Sequence, residues 1–186
     1  ATAHRLGETV APSLTDNEGR LGFPGVPRRV PLALLSLSAA VPTWPLTATG
    51  TLGSDQVASL EAVLDRLAAE DAFRVLLVHH PLHSTSRVKR LTDSRALRAL
   101  IRQHGVDLVL HGHDHIHSTM WLEGPSREIP AIGVPSASSV GHGHYPAAAF
   151  NLFSIAREDG AWRCEQATRA IDRDMRIKQI RHVQLI

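Results

Sequence analysis

The residues of this chain best suited to chemistry are its histidines. It has 12 in 186 residues, and five of them lie between His104 and His117. Imidazole titrates near neutral pH and is the commonest metal-ligand side chain, so a local concentration of it points to acid–base or metal chemistry. Two short blocks carry the pattern: Leu77-Val78-His79-His80-Pro81 and His111-Gly112-His113-Asp114-His115. A single histidine at a strand end is usually a surface or hydrogen-bonded residue. Paired histidines at two separate strand ends are less easily dismissed. Gly112 would let the backbone turn sharply, and His-x-His spacing would then send His113 and His115 to one side if the turn is extended. Ligand type leaves the metal open, because zinc, manganese, iron and nickel all accept imidazole.

Each block ends an apolar run of strand length. Residues 74–79 and 106–111 read as strands buried on both faces. A helix is expected ahead of each. The first, 54–69, places Val57, Leu60, Leu64 and Leu67 on one face, with Ser54 or Asp55 as its cap. The second, 93–104, aligns Leu97, Leu100, Ile101 and His104, is capped by Thr92 or Asp93, and stops at Gly105. Helix, strand, helix, strand is the layout of an α/β unit, whose ligands bind beyond the carboxyl ends of its parallel strands. Upstream, 1–29 reads as irregular, the apolar run 30–38 as a strand, and 42–53 as a loop punctuated by proline and glycine. Downstream, 119–122, 129–134, 148–156 and 162–171 read as an antiparallel meander, turning at Gly124-Pro125 and Asp159-Gly160. The chain reads as a single domain over 1–186, with a basic tail over 172–186.

Composition narrows the function classes. A chain that is 43% hydrophobic and 20% charged, with a net charge of +2, is globular and not disordered. The basic residues of the tail, Arg173, Arg176, Lys178 and Arg181, are interrupted by Asp172 and Asp174 and read as a solvated helix or strand end. No nucleic-acid partner is expected without a clustered basic surface. No apolar run reaches membrane-spanning length, so no membrane span is expected. One cysteine, Cys164, excludes an intramolecular disulfide and makes a reducing, cytoplasmic setting the default. The chain opens at Ala1 without a charged-then-apolar leader, which suggests a processed chain or a missing beginning. His142 and His144 lie in a glycine-rich turn that could also face a substrate, and His83, Ser84 and Thr85 could contact a phosphate. Trp121, Phe150 and Trp162 read as hairpin packing residues.

The order of a strand ending in His-His-Pro, a helix, a second strand and Gly-His-Asp-His resembles the last two signature blocks of the calcineurin-like metallophosphoesterases. The flanks Phe23 to Ser38, Gly53-Ser54-Asp55-Gln56 and Gly133-Val134-Pro135-Ser136-Ala137-Ser138 are similar to bacterial members near the cyclic-nucleotide phosphodiesterase branch. The likeness covers roughly residues 23–171. It implies an α/β fold, part of a four-layer αββα metallophosphoesterase sandwich, with a parallel β-α-β middle followed by an antiparallel meander. It implies hydrolysis of a phosphodiester or phosphomonoester by a hydroxide bridging two divalent ions (Mn, Fe, Zn or similar) about 3.5–4 Å apart. By that resemblance His79 and His113 bind one ion and His115 reaches the other. His80 would line the site, though adjacency leaves the choice between His79 and His80 open. His111 would be structural, and Asp114 would fill a variable position.

The family's earlier blocks, Asp-x-His, Gly-Asp-x-x-Asp and Gly-Asn-His-Asp/Glu, have no match here. His4 stands with Thr2 where the first block needs aspartate. Three histidines shared by two ions leave each under-coordinated, so weak metal binding and negligible hydrolysis are expected of the chain alone. No catalytic residue is therefore assigned. A phosphate-ester substrate is expected. So is a missing N-terminal half, or self-association through an open sheet edge. Two other readings stand beside the enzyme: a truncated or degenerate non-catalytic module that binds a partner, and a mononuclear histidine metal-binding protein.

Overall fold

Apolar strands and two amphipathic helices assemble here into a sheet covered on both faces. The structure, a computed structural model, describes residues 28–29, 31–41 and 48–186. In chain order the elements are β1 (Arg28–Arg29), β2 (Leu32–Ser36), α1 (Ser54–Leu67), β3 (Phe73–Leu77), α2 (Ser94–His104), β4 (Leu108–His111), β5 (Ser118–Leu122), β6 (Ile129–Gly133), β7 (Val140–His142), β8 (Tyr145–Ala147), β9 (Ala149–Glu158), β10 (Ala161–Ile171) and β11 (Ile177–Gln184). His4 and most of the segment upstream of β2 fall outside the described residues.

The main sheet has the order β1-β2-β3-β4-β6-β5. Its four central strands, β2, β3, β4 and β6, run parallel, and β1 and β5 close the edges antiparallel. Successive residues of a strand face opposite sides, and around β3 this splits the core in two. Leu76 and Val78 pack against the helices, whereas Phe73 and Val75 pack against the second sheet, β11-β10-β9. On the helical side Leu60, Leu64, Leu67, Leu97 and Ile101 are each at most 1% exposed. Burying one such side chain contributes about 1.5–3 kcal/mol, enough to order helices this short. Between the sheets Cys164 is fully buried, and burial pushes its thiol up to about 11. Helices, main sheet and second sheet make three layers among the described residues. The outer helical layer of the expected four-layer sandwich is not among them. No described helix is long and apolar enough to cross a membrane.

Two expectations change and a third becomes definite. Residues 129–134 do not join the antiparallel meander as a whole. β6 lies parallel to β4, with Val109 opposite Ala131 and His111 opposite Gly133. All five β6 residues are buried, so this is a central strand, and a continuous apolar run does not announce its direction. The basic tail contains a strand. β11 pairs antiparallel with β10 from Glu165↔Gln184 to Ile171↔Ile177, and its charged residues are exposed because the strand lies at the edge. Neither helix is capped by its own side chain. Asp93 Oδ2 instead accepts the N–H groups of Leu52 and Gly53, both at 2.9 Å, and so ties the start of α2 to the start of α1.

Asp107 fastens the opposite end of the sheet. Its carboxylate accepts the Arg74 N–H at 2.7 Å and an Arg127 guanidinium N–H at 2.6 Å, joining β3, β4 and the β5–β6 turn. The residue is 7% exposed. Alanine at this position would strand a buried N–H and unpair Arg127. Urea unfolding of Asp107→Ala should show a loss of about 2–3 kcal/mol. A loss below about 0.5 kcal/mol, ordinary for a surface change, would contradict this role.

Candidate metal centre at two strand ends

Parallel pairing brings the two histidine blocks side by side. Leu77 lies opposite Leu110, and the register continues past the strands through Val78 N–H to Leu110 O (3.1 Å) and Gly112 N–H to His79 O (3.0 Å). His79 Nε2 consequently lies 3.2 Å from His113 Nδ1, with the ring planes at 78°. His80 also packs on His113, ring centroids 4.1 Å apart, and lies 5.1 Å from His79, so the three rings form a triangle.

The neighbours His79 and His80 have different surroundings. His79 is exposed, whereas His80 is 6% exposed and its Nε2 lies 3.0 Å from Ala48 O. A carbonyl only accepts, so that nitrogen carries the proton. The ring lies so close to Gly50 that a Cβ there would overlap it and would also meet Ala39 Cβ at 3.0 Å. The loop ahead of α1 thus clamps His80, which explains a glycine at position 50.

The Gly112 turn differs from the extended form expected. Glycine does not supply the left-handed backbone. His113 (φ 70°) and His115 (φ 56°) do, flanking Asp114, whose N–H bonds Gly112 O at 2.9 Å. Non-glycine residues held there cost about 1–3 kcal/mol each, and such strain gathers at functional sites. His111 is 8% exposed and packs against Gly133, where a Cβ would meet its Cε1 at 2.6 Å. Its ring thus lies against β6.

His115 is exposed and lies beyond the His79–His113 pair, near enough for its charge to act on His79. With His113 it borders a cavity of about 290 Å³ that also touches Lys89, Asp114, Ser139, His142 and Tyr145. The glycine-rich turn therefore reaches the histidines. Tyr145 stacks with His144 at 4.0 Å between centroids and lies 6.3 Å from His115. His83 does not reach this cluster and lines a separate cavity with arginines of α2. Lys89 and Tyr145 were not among the expected residues. Lys89 sits in an irregular basic stretch, and Tyr145 is the one tyrosine of the chain, so neither belongs to a motif.

Burial first, then the charges of His80 and His115, lowers the pKa of His79. Burial, His80 and His79 lower that of His113, with Asp114 opposing. Burial lowers that of His111 against the pull of its bond to Gly112 O. All three rings are thus biased to the neutral form, which is the form that binds metal. His113 Nε2 and His80 Nδ1 are both buried with no hydrogen-bond partner among the described residues. Paired neutral imidazoles are a donor type that divalent metals take, but no three His, Cys, Asp or Glu side chains among the described residues form a group that could hold one.

The lowered values also fix a pH dependence. The unfolded chain takes up protons near the ordinary histidine value of 6.5 while these folded rings still resist them. Their contribution to stability is present above that value and is lost as pH falls through it. The metal-free chain should melt at a lower temperature near pH 5 than near pH 7.5. An equal or higher melting temperature in acid would contradict the assignment.

A mainly parallel sheet with helices on one face, an antiparallel sheet on the other and histidines at its strand ends is consistent with the fold that the sequence resemblance implies. Residues 41–117, less than half of the chain, match the profile of the family described as calcineurin-like phosphoesterase, and that segment is similar to this family. The matched span is narrower than the 23–171 of the sequence resemblance. Among solved structures, a dimetal phosphatase from Danio rerio is 15% identical with a TM-score of 0.47, over 73% of this chain and 38% of that one. GAP50, the anchor in the inner membrane complex of Plasmodium, is 16% identical with a TM-score of 0.48, over 83% and 48%. A Vps29 double mutant from Entamoeba histolytica is 16% identical with a TM-score of 0.37, over 67% and 89%. This chain thus spans less than half the length of the first two. No curated protein sequence matches it.

Proposed function

We propose that this chain supplies the histidine side of a divalent-metal centre that hydrolyses phosphate esters. His79 and His113 would hold one ion, and His115 would reach a second. The observation that carries this reading is the pairing of His79 with His113 at 3.2 Å while the second nitrogen of His113 stays buried and unpartnered. The clamping of His80 by Ala48 and Gly50 favours His79 as the ligand of the adjacent pair. Divalent cations, when bound, activate water at neutral pH and draw charge from phosphate oxygens. The chain's own part is to hold neutral imidazoles in place, with Lys89 and Tyr145 bordering the space beside them.

Asp114 is the carboxylate whose charge acts on His113, and one such group does little to neutralise two cations. Hydrolysis by these 186 residues alone is therefore expected to be slow. A phosphodiester is the first substrate class to try, cyclic nucleotides among them, on the strength of the sequence resemblance. The test is manganese-dependent hydrolysis of an aryl phosphodiester by this chain and by any longer polypeptide containing it. Manganese-dependent turnover should vanish in His113→Ala. Turnover unchanged in that variant would refute the reading.

A further inference from the structure

We propose that the groove between α2 and the free edge of β5 binds an extended acidic segment of a partner protein, which adds to the main sheet as a further strand. A cavity of about 400 Å³ lies there, bordered by Arg95, Arg98 and Arg102 and by Met120, Trp121 and Leu122. Spacings of three and four put the arginines in one exposed row on α2, opposite the buried Leu97, Leu100 and Ile101. Met120, Trp121 and Leu122 are consecutive, and neighbours in a strand face opposite sides. A space touched by all three runs along the edge of the strand.

That edge is open. β5 is the last strand of the main sheet, and among the described residues nothing hydrogen-bonds to its outer main chain. Edge strands are commonly guarded by charge or proline. The segment Ser118–Leu122 has neither and leaves Trp121 46% exposed. The arginines are also available. Arg95 and Arg98 form no ion pair with a described residue. Arg102 meets Glu123 at 3.9 Å, with both side chains well exposed, a contact of little strength.

A free edge asks for N–H and C=O groups at strand spacing, and a row of guanidinium groups asks for carboxylates. An extended acidic polypeptide offers both, whereas a nucleic acid offers only the charge. The row from Arg95 to Arg102 is about 10 Å long at 1.5 Å per helical residue. That is about three strand residues at 3.3 Å each, so carboxylates at alternate positions of one added strand would reach it.

The probe is a fluorescent peptide of about eight residues alternating glutamate with valine, titrated with the 186-residue chain by fluorescence polarisation. Saturable binding that weakens with salt, shifts Trp121 emission and falls about tenfold or more in Arg98→Glu is expected. Arg98→Gln should give a smaller loss, and circular dichroism should show both variants folded. The same peptide N-methylated at alternate amides keeps its charge but cannot pair with the edge, and should lose binding. Equal binding by the N-methylated peptide, by a lysine–valine peptide or by the Arg98→Glu variant would overturn the proposal. So would a single-stranded oligonucleotide that binds more tightly than the acidic peptide.

Discussion

Replacing His113 by alanine is expected to abolish measurable manganese binding in titration calorimetry, while His83→Ala leaves it unchanged. His113 touches both His79 and His80, and its unpartnered Nε2 is buried. Its loss removes a ligand and also the group that aligns His79. The affinity should fall by more than the roughly 10–100-fold that losing an outer hydrogen-bond partner costs a metal site. His83 carries the same ring but lies in the arginine-lined cavity, so it controls for histidine content. His79→Ala and His80→Ala divide the adjacent pair. The first should behave like His113→Ala. The second should disturb the clamp formed by Ala48 and Gly50 and weaken binding less. Equal losses in His83→Ala and His113→Ala would mean that metal binds histidines non-specifically, and the proposed centre would fall.

Phe73→Ala should produce the largest stability change. Phe73 is fully buried between the two sheets and meets Trp162 edge-on, with centroids 5.7 Å apart and planes at 71°. Trp162 in turn lies under the Arg157 guanidinium at 5.5 Å. Emptying that space should cost about 3–5 kcal/mol, a large share of the 5–15 kcal/mol that holds an ordinary domain together. The loss falls on the contact between main sheet and meander, so tryptophan emission should shift to the red before helical circular dichroism is lost. Guanidinium unfolding followed by both signals checks this. A change below about 1 kcal/mol would show that the sheets are held together elsewhere.

The regular elements were largely legible from pattern. The helical spacing of Leu60, Leu64 and Leu67 and of Leu97 and Ile101 appears in the structure as the buried stripes of α1 and α2. The apolar runs that end at His79 and His111 appear as the adjacent parallel strands β3 and β4. Other features were left open or misread because their cause is not local. β11 has exposed, charged side chains and no alternating pattern, and it is a strand because β10 offers it a hydrogen-bonding edge. Asp93 looks like the cap of its own helix, but its carboxylate finds the free N–H groups of Leu52 and Gly53 instead.

The same division runs through the site. Residue type and order alone determined which histidines gather at the sheet's carboxyl end, because the end of a buried strand is legible in its hydrophobicity. Tertiary structure decided how the rings differ. Burial of His80 against Gly50, left-handed backbone at His113 and His115, and the arrival of Lys89 and Tyr145 from distant loops all depend on contacts across the fold. Periodicity records which face of an element is apolar. It carries no record of what comes to lie against the other face.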